Sequence, residues 1–274
     1  MKLRDLILVL PAVFVLLLVP AIAETAPPTL PFLSSLAGDR ELPLPCGTSV
    51  LCYWQEHGYD INRLDASSLL NPLIAQMVQQ VDPASIDVDN EVMQAGLKAD
   101  AWLFPFLNVY ALAGYIDGET EVSFGALPPE AAPVLGSLDQ GLDVEYSGFV
   151  YGVGGTLTWG AGPVFAAVNG VMTWTDGDQE TSVEAYVLRP IIGVSAGALS
   201  LWTGAMYQKA EEDHEGSIMI PGLGAMDYDL ELEEQEPWNW LIGTSYQIAK
   251  NWSVEAECGI GERNQVEATL TYRF

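Results

Sequence analysis

Basic residues are scarce in this chain. Among 274 residues, 10 are Lys or Arg and 37 are Asp or Glu, so the formal net charge is -27. Such a negative surface repels phosphate groups, which argues against nucleic acid and anionic lipid headgroups as direct partners. Charged residues still make up only 17% of the chain, against 49% that are hydrophobic. This composition excludes a disordered chain and predicts a folded one.

Histidine is also rare, which limits the chemistry that the chain can perform. Hydrolytic membrane proteins usually need a histidine as general base, and only His57 and His214 are available. No serine lies near His57, and the sequence contains no P-loop, no G-x-S-x-G motif and no zinc-ligand spacing. We therefore predict a protein without enzymatic activity and without a cofactor.

Cysteine is limited to Cys46, Cys52 and Cys258. If Cys46 and Cys52 occupy one extended strand, about 20 Å separates them at about 3.3 Å per residue, which is too far for a disulfide. In a loop, the same two residues could close a bridge. Cys258 is predicted to act as a small apolar residue.

Long apolar runs are confined to the N-terminus. Residues 6–19 are mostly apolar, follow a basic start and precede Ala21-Ile22-Ala23, which has the small residues that a signal peptidase requires. Residues 1–23 are therefore predicted to be a secretory signal peptide, with an uncleaved inner-membrane anchor as the alternative. Beyond them, no run of about 18 apolar residues occurs, which excludes a spanning helix. The Pro-rich residues 24–45 are predicted to be a periplasmic leader.

What the chain does contain is a regular alternation of apolar and polar residues. Alternation with a period of two predicts β-strands that have one apolar and one polar face. In the last such segment, polar residues from Gln265 to Arg273 oppose an apolar face of Val266, Ala268, Leu270, Tyr272 and Phe274. The segments lie at 91–102, 107–118, 142–159, 163–176, 181–195, 198–210, 237–249, 252–261 and 264–274.

Three features favour a membrane barrel over a soluble β-sandwich. Aromatic residues cluster at the segment ends, as in the interfacial girdles of such barrels, and short connections alternate with long ones. The apolar face of the last segment ends with Leu270, Tyr272 and Phe274, and this ending resembles the terminal strand signal of bacterial outer-membrane β-barrels. The resemblance implies that the barrel assembly machinery is a partner and that these three residues are the assembly signal.

The number of strands follows from parity. Barrels of this kind have an even number of strands and both termini in the periplasm. The nine segments therefore require a tenth, which is best placed at residues 47–56. We predict an all-β, antiparallel transmembrane barrel of about ten strands over residues 46–274, although eight or twelve strands fit the same pattern.

The same parity assigns the connections. Short turns fall in the periplasm, and the long connections 57–90, 119–141 and 211–236 become extracellular loops. The first loop is predicted to contain a short helix over 71–81, because Asn71 can cap it and Pro72 suits its first position. Arg189-Pro190 marks either a bulge or a strand end.

The first complete hairpin carries a further resemblance. The stretch Trp102-Leu-Phe-Pro-Phe-Leu-Asn-Val-Tyr110 is similar to a hairpin of a family of bacterial outer-membrane proteins, which also end in a strand like Tyr272-Arg273-Phe274. The resemblance implies a barrel in the outer membrane of a Gram-negative bacterium. It implies no catalytic residue.

The polar faces of the strands would line the barrel interior. Barrels of about eight strands are filled by side chains, whereas 16–18 strands leave an aqueous channel, so about ten strands leave at most a narrow passage. Charges in so confined a space need partners, which predicts salt-bridged networks; a narrow cation pore is the alternative. The predicted lumen residues are Lys98, Asp100, Glu255, Glu257, Glu267 and Arg273.

The loop 211–236 is strongly acidic. It contains ten Asp and Glu residues and no Lys or Arg, and such density invites divalent cations that also bridge lipopolysaccharide phosphates. Oxygen ligands suit Ca²⁺ or Mg²⁺ rather than zinc. A solvated loop that holds these ions only loosely is the alternative. The candidate ligands are Asp227, Asp229, Glu231 and Glu233.

These features lead to three functional hypotheses. The first is a non-enzymatic outer-membrane barrel whose acidic loops bind an extracellular ligand, contact lipopolysaccharide or stabilise the envelope. The second is a small or gated channel for cations or small polar solutes. The third is a surface protease, because Asp213-His214 resembles the loop Asp/His pair of the omptin proteases, although the neighbouring signatures of that family are absent.

Overall fold

The computed structural model describes residues 30–38, 42–67, 86–124, 142–177, 182–220, 224–234, 236–261 and 263–274. Among these residues, no helix is both long enough and apolar enough to cross a membrane. A short 3-10 helix, Ser34–Ala37, precedes the strands. The strands are β1 Cys46–Ser67, β2 Ile86–Phe104, β3 Leu107–Phe124, β4 Leu142–Ala161, β5 Val164–Gly177, β6 Ser182–Ala196, β7 Leu199–Ile220, β8 Gly224–Glu234, β9 Trp238–Ala249, β10 Trp252–Ile260 and β11 Asn264–Arg273.

The strands form one closed antiparallel barrel. Each pairs with its neighbour in the chain, except that β7 pairs with β9 around the shorter β8, and β11 pairs with β1 to close the ring. Ten strands make up this ring, and β8 adds to the far ends of β7 and β1. The prediction of an antiparallel barrel of about ten strands is therefore confirmed.

The barrel is apolar outside and polar inside. Trp240 and Ile242 on the outer face of β9 are 72% and 58% exposed, whereas the inward Thr269 and Gln265 of β11 are 3% and 2% exposed. Exposed apolar surface on this scale is stable only against lipid. The strands β9 to β11 have 9 to 12 residues, the length that a tilted strand needs to cross a bilayer. The chain is an outer-membrane β-barrel.

Both chain ends lie at the end of the barrel that carries the short turns. The Phe274 N–H donates to the Cys46 carbonyl at 2.9 Å, and the turns at 105–106, 162–163, 197–198 and 250–251 join the strands at this end. Two of these turns use Gly162 and Gly197 at φ of 59° and 62°, a conformation that favours glycine. The leader contacts this periplasmic end, because the Phe32 N–H donates to the Leu103 carbonyl at 2.8 Å.

The extracellular loops were predicted too long. Strand β1 continues to Ser67, β2 begins at Ile86, β3 continues to Phe124, and most of 211–236 is strand β7 or β8. Beyond the membrane the outer face need not be apolar, so the alternation that predicts a strand disappears while backbone pairing continues. The predicted signal peptide 1–23 and the predicted helix 71–81 lie outside the described residues.

The interpretation of Arg189-Pro190 was also wrong. Both residues lie inside β6, and the pairs Leu188–Tyr207 and Ile191–Gly204 show the same spacing on β6 and β7, so no residue is inserted. Proline is tolerated here although it cannot donate a hydrogen bond to the neighbouring strand. The strand continues, and Arg189 keeps the inward position that alternation assigns to it.

Strand β8 changes the barrel at its extracellular end. Residues 47–56 of β1 pair with β11, and residues 59–67 pair with β8. Likewise, residues 199–207 of β7 pair with β9, and residues 211–220 pair with β8. In the membrane, β9, β10 and β11 lie between β7 and β1. At the extracellular end β8 alone lies between them, so the ring has fewer strands there and a smaller circumference.

Candidate functional site

A charged bridge crosses the middle of the lumen. Arg189 on β6 contacts Glu257 on β10 and Glu267 on β11, with distances of 3.2 Å and 3.0 Å from its Nη1 to the carboxylate oxygens. Between β6 and β11 lie β7, β9 and β10, so the arginine reaches almost to the opposite wall of the ring. Alternation along β6 aims Arg189 inward, and the register places it beside Asn169 of β5.

Neighbouring polar groups fix this bridge in place. The Asn169 Oδ1 accepts from Arg189 Nε at 3.4 Å and from the Tyr110 hydroxyl at 3.2 Å. The indole Nε1 of Trp202 donates to Glu257 at 2.7 Å. Ion pairs in a confined space are stable when such hydrogen bonds satisfy their remaining oxygens and N–H groups. The residues of this central network are Tyr110, Asn169, Arg189, Trp202, Glu257 and Glu267.

A second polar cluster lies nearer the periplasmic end. Arg273 forms an ion pair with Asp100, and the Asn108 amide donates to the same carboxylate at 2.7 Å. The Arg273 Nε donates to the Leu44 carbonyl at 3.0 Å, which ties the end of the leader to the lumen. Gly47 lies directly against the Asp100 carboxylate, where a Cβ would clash. The cluster therefore places a second set of paired charges in the lumen, below the central network.

On the extracellular side of the central network, the lumen contains a cavity of about 220 Å³. Three of its polar lining residues are linked: the Gln55 Nε2 lies 2.8 Å from His57 Nδ1, and the Gln208 amide donates to Gln55 Oε1 at 3.5 Å. The other polar wall residues are Tyr53, Tyr59, Gln94, Asn108, Tyr146, Thr156, Thr173 and Thr175. The floor is formed by Lys98, Tyr110, Asn169, Arg189 and Glu267. The apolar wall residues are Leu51, Val92, Leu112, Ile116, Val150, Val171, Val183, Ala185, Val187, Met206 and Ala210.

The structure places all six predicted lumen residues on inward positions of their strands. Asp100 and Arg273 form one ion pair, and Glu257 and Glu267 share Arg189. Lys98 lines the cavity, with its Nζ 5.4 Å from the centre of the Tyr110 ring. Glu255 occupies an inward position of β10, opposite Thr269.

Sequence reasoning missed Arg189, Asn169, Trp202 and Tyr110. Arg189 was set aside because Pro190 follows it and because segment 181–195 is apolar on both faces, so its alternation was ambiguous. One signal was available: Arg189 is the only basic residue of that segment, and an unpaired arginine does not face lipid at the centre of a membrane strand. Asn169 and Tyr110 carry no charge and gave no comparable signal.

The candidate metal ligands occupy alternate positions of β8 rather than a loop. Asp229 pairs with Glu215 of β7 and with Asp65 of β1, and Glu231 pairs with Asp213 and with Arg63. Acidic residues from three strands therefore meet at the extracellular rim. Binding of Ca²⁺ or Mg²⁺ by Asp227, Asp229, Glu231 and Glu233 stays a prediction.

Two further groups of predicted residues lie on or near the outer surface. Tyr272 packs between Trp252 and Phe274, with ring centres 5.0 Å and 6.1 Å apart, and Leu270 precedes it on the same outer face. Their role as an assembly signal stays a prediction. Cys46, Cys52 and Cys258 are free thiols, and the last two are exposed on the outer face. Cys46 and Cys52 lie on one strand, β1.

No protein-family model and no curated protein matches this chain. Among solved structures it is similar to the COG4313 outer membrane channel from Pseudomonas putida F1, with 11% identity, 86% of this chain and 98% of the other covered, and a TM-score of 0.38. It is also similar to the translocator domain of autotransporter NalP from Neisseria meningitidis, with 9% identity, 83% of this chain and 88% of the other covered, and a TM-score of 0.40. The similarity to LpxR from Salmonella typhimurium has 8% identity, covers 82% of this chain and 100% of the other, and has a TM-score of 0.35. Likeness at this level assigns no role.

Proposed function

We propose that this chain is a non-enzymatic outer-membrane barrel with a closed lumen, which binds a ligand or stabilises the envelope at its extracellular side. The observation that supports this function is the ion-paired Arg189, which reaches from β6 to Glu257 and Glu267. A lumen of about ten strands is too narrow to hold both this network and a passing ion. A permeating ion would therefore have to break the ion pairs of Arg189.

The balance of charge in the lumen supports the same proposal. A cation pore needs fixed negative charge that its own side chains do not neutralise. Among the charged residues of the central network, of the periplasmic cluster and at the adjoining positions of Lys98 and Glu255, the acids exceed the bases by one, and most of these acids are already paired. The bases are Lys98, Arg189 and Arg273, and the acids are Asp100, Glu255, Glu257 and Glu267.

A gated channel for cations or small polar solutes is the second candidate. The cavity favours it, because this space of about 220 Å³ extends from the extracellular half of the lumen down to Arg189 and Glu267. A movement of the central network would then be the gate. The periplasmic cluster of Asp100 and Arg273 would have to open as well.

A surface protease is the weakest candidate. Asp213 and His214 are consecutive residues of β7, and the signatures that accompany the Asp/His pair of the omptin proteases are absent from the sequence. Envelope stabilisation is part of the first candidate function. In that role, the acidic rim would bind divalent cations that also bridge lipopolysaccharide phosphates.

Planar-bilayer recording separates the first two candidates. We expect the refolded mature barrel to give no unitary steps. A variant with both Arg189→Ala and Arg273→Ala should give cation-selective steps, because Glu257, Glu267 and Asp100 then lose their counter-charges. Lys250→Ala, in a periplasmic turn, is the matched control and should stay silent. Regular unitary steps from the wild-type barrel would refute the closed lumen and would support the gated channel instead.

A further inference from the structure

We infer that residues 32–37 of the leader form an interfacial anchor, which inserts Leu33 and Leu36 into the periplasmic leaflet of the outer membrane. The partner is the apolar boundary of a phospholipid leaflet, just below its headgroups. This contact lies outside the barrel wall, so it does not depend on whether the lumen is closed or conducting.

The contact between the leader and β2 places the leader at the edge of the lipid-facing surface. The Phe32 N–H donates to the Leu103 carbonyl at 2.8 Å, and the centres of the Phe32 and Phe104 rings are 6.1 Å apart. Phe104 pairs with Leu107 of β3, and directly paired residues share a face of the sheet. Leu107 also pairs with Leu157, which is 39% exposed on the outer face. The leader therefore meets the barrel on its lipid side, at the periplasmic end of the apolar belt.

A tight turn brings two leucine side chains together at this edge. The 3-10 helix Ser34–Ala37 follows Leu33, and the Leu36 N–H donates to the Leu33 carbonyl at 2.9 Å. A turn closed by such a bond holds its first and fourth residues within about 7 Å of each other. Leu33 and Leu36 are nevertheless 60% and 63% exposed. An apolar pair with this much free surface marks an interaction site, and the lipid around Phe104 is the apolar phase beside it.

The backbone of Leu33 supports a role for its side chain outside the fold. Leu33 has φ of 55° and ψ of 38°, and among the described residues it is the one non-glycine residue with a positive φ. This left-handed conformation is rare for a bulky side chain and costs free energy, whereas glycine and asparagine adopt it more easily. A strained position that holds an exposed leucine indicates that the apolar side chain is used in a contact with a partner.

The composition of the segment suits a lipid partner. Residues 25–38 contain no Asp, Glu, Lys or Arg, in a chain with a net charge of -27. An uncharged segment can approach phospholipid headgroups without the repulsion that the acidic rim would meet. Its large apolar side chains then gain free energy by leaving water for the boundary between the headgroups and the acyl chains.

Site-directed fluorescence in lipid nanodiscs tests the anchor. The background carries Cys46→Ala, Cys52→Ala and Cys258→Ala, which remove the three free thiols. A nitrobenzoxadiazole label on Leu36→Cys is then quenched by a phospholipid with a nitroxide just below its headgroup. We expect this quenching to be at least twofold stronger than for the same label on Ser35→Cys, the matched control one third of a helical turn away.

A pair of asparagine variants tests the role of the apolar side chains. Leu33→Asn suits the left-handed backbone but removes an apolar group, so lipid quenching of the label on Leu36→Cys should fall at least twofold. Ser34→Asn, at the next residue, is the matched control and should leave the quenching unchanged. Heat-modifiable mobility on gels checks that each labelled barrel is folded.

Four results would overturn the inference. The first is equal lipid quenching of the labels at positions 35 and 36, and the second is quenching that Leu33→Asn leaves unchanged. The third is strong quenching of the label at position 36 by aqueous iodide, which would place this side chain in water. The fourth is protection of that label from both quenchers, which would mean that protein, either a second copy of this chain or a periplasmic partner, covers the leader instead of lipid.

Discussion

Replacing Arg189 by methionine is the sharpest test of the central network. Methionine keeps much of the length and volume of the side chain but removes the charge and the N–H donors. Glu257 and Glu267 are directly paired on β10 and β11, so both carboxylates would then face each other without the arginine between them. The Asn169 carbonyl would lose the arginine as a donor and keep only the Tyr110 hydroxyl.

The magnitude follows from the burial of the three side chains. Removing one partner of a fully buried ion pair costs about 3–5 kcal/mol. Arg189, Glu257 and Glu267 keep 22%, 11% and 26% side-chain exposure, so lumen water solvates part of the remaining charge. We therefore expect Arg189→Met to lower the free energy of unfolding by about 2–3 kcal/mol, at or just below the lower limit of that range.

Urea unfolding of the barrel from lipid vesicles, followed by tryptophan fluorescence, measures this loss. Arg189→Lys keeps the charge but cannot bridge two carboxylates as a planar guanidinium does, so about 1 kcal/mol should be lost. The triple variant Arg189→Met/Glu257→Gln/Glu267→Gln should regain most of the stability. Glutamine at 257 still offers an oxygen to the Trp202 indole.

Two results would refute the reasoning. A loss below about 0.5 kcal/mol for Arg189→Met would mean that lumen water alone solvates both carboxylates. A triple variant no more stable than Arg189→Met would mean that uncompensated charge is not the cause. In that case the packing of the arginine stem, rather than its ion pairs, would hold β6 against the opposite wall.

Two other positions give independent predictions. Gly243 lies against the Trp202 indole, so Gly243→Val should displace that ring and lower the free energy of unfolding in urea by about 1–3 kcal/mol. Gly170→Ala is the control: its new Cβ would lie 3.9 Å from the nearest atom, so this variant should be as stable as the wild type. Ile242 faces lipid in the middle of β9, so Ile242→Lys should lower the stability in bilayers by about 2–4 kcal/mol. Ile260, at the end of β10, should tolerate lysine at a cost of about 0–1 kcal/mol, and equal losses at both sites would contradict a lipid-facing exterior.

Much of the fold could be predicted because the membrane imposes a simple rule on each strand. Where a strand crosses lipid, every second residue must be apolar, so β9, β10 and β11 were found to within one or two residues. The same rule placed Glu257, Glu267 and Asp100 on the inner face. Strand number followed from parity, which is a property of the closed ring rather than of any segment.

Outside the membrane this rule no longer holds. Residues 211–220 and 224–234 form strands whose composition resembles a solvated acidic loop, because water accepts polar side chains on both faces of a sheet. Only the pairing partners β7 and β1, which are distant in the chain, show that β8 replaces three strands at the rim.

The sequence by itself determined the location, the barrel and the inward face of Lys98, Asp100, Glu255, Glu257, Glu267 and Arg273, because these depend on local alternation. It did not determine which charges meet. Arg189 reaches Glu257 and Glu267, which lie 68 and 78 residues away, because ring closure brings β6 opposite β10 and β11. The cavity likewise depends on side chains from eight strands that face one another across the lumen. Contacts of this kind depend on the curvature of the closed sheet, which no single segment encodes.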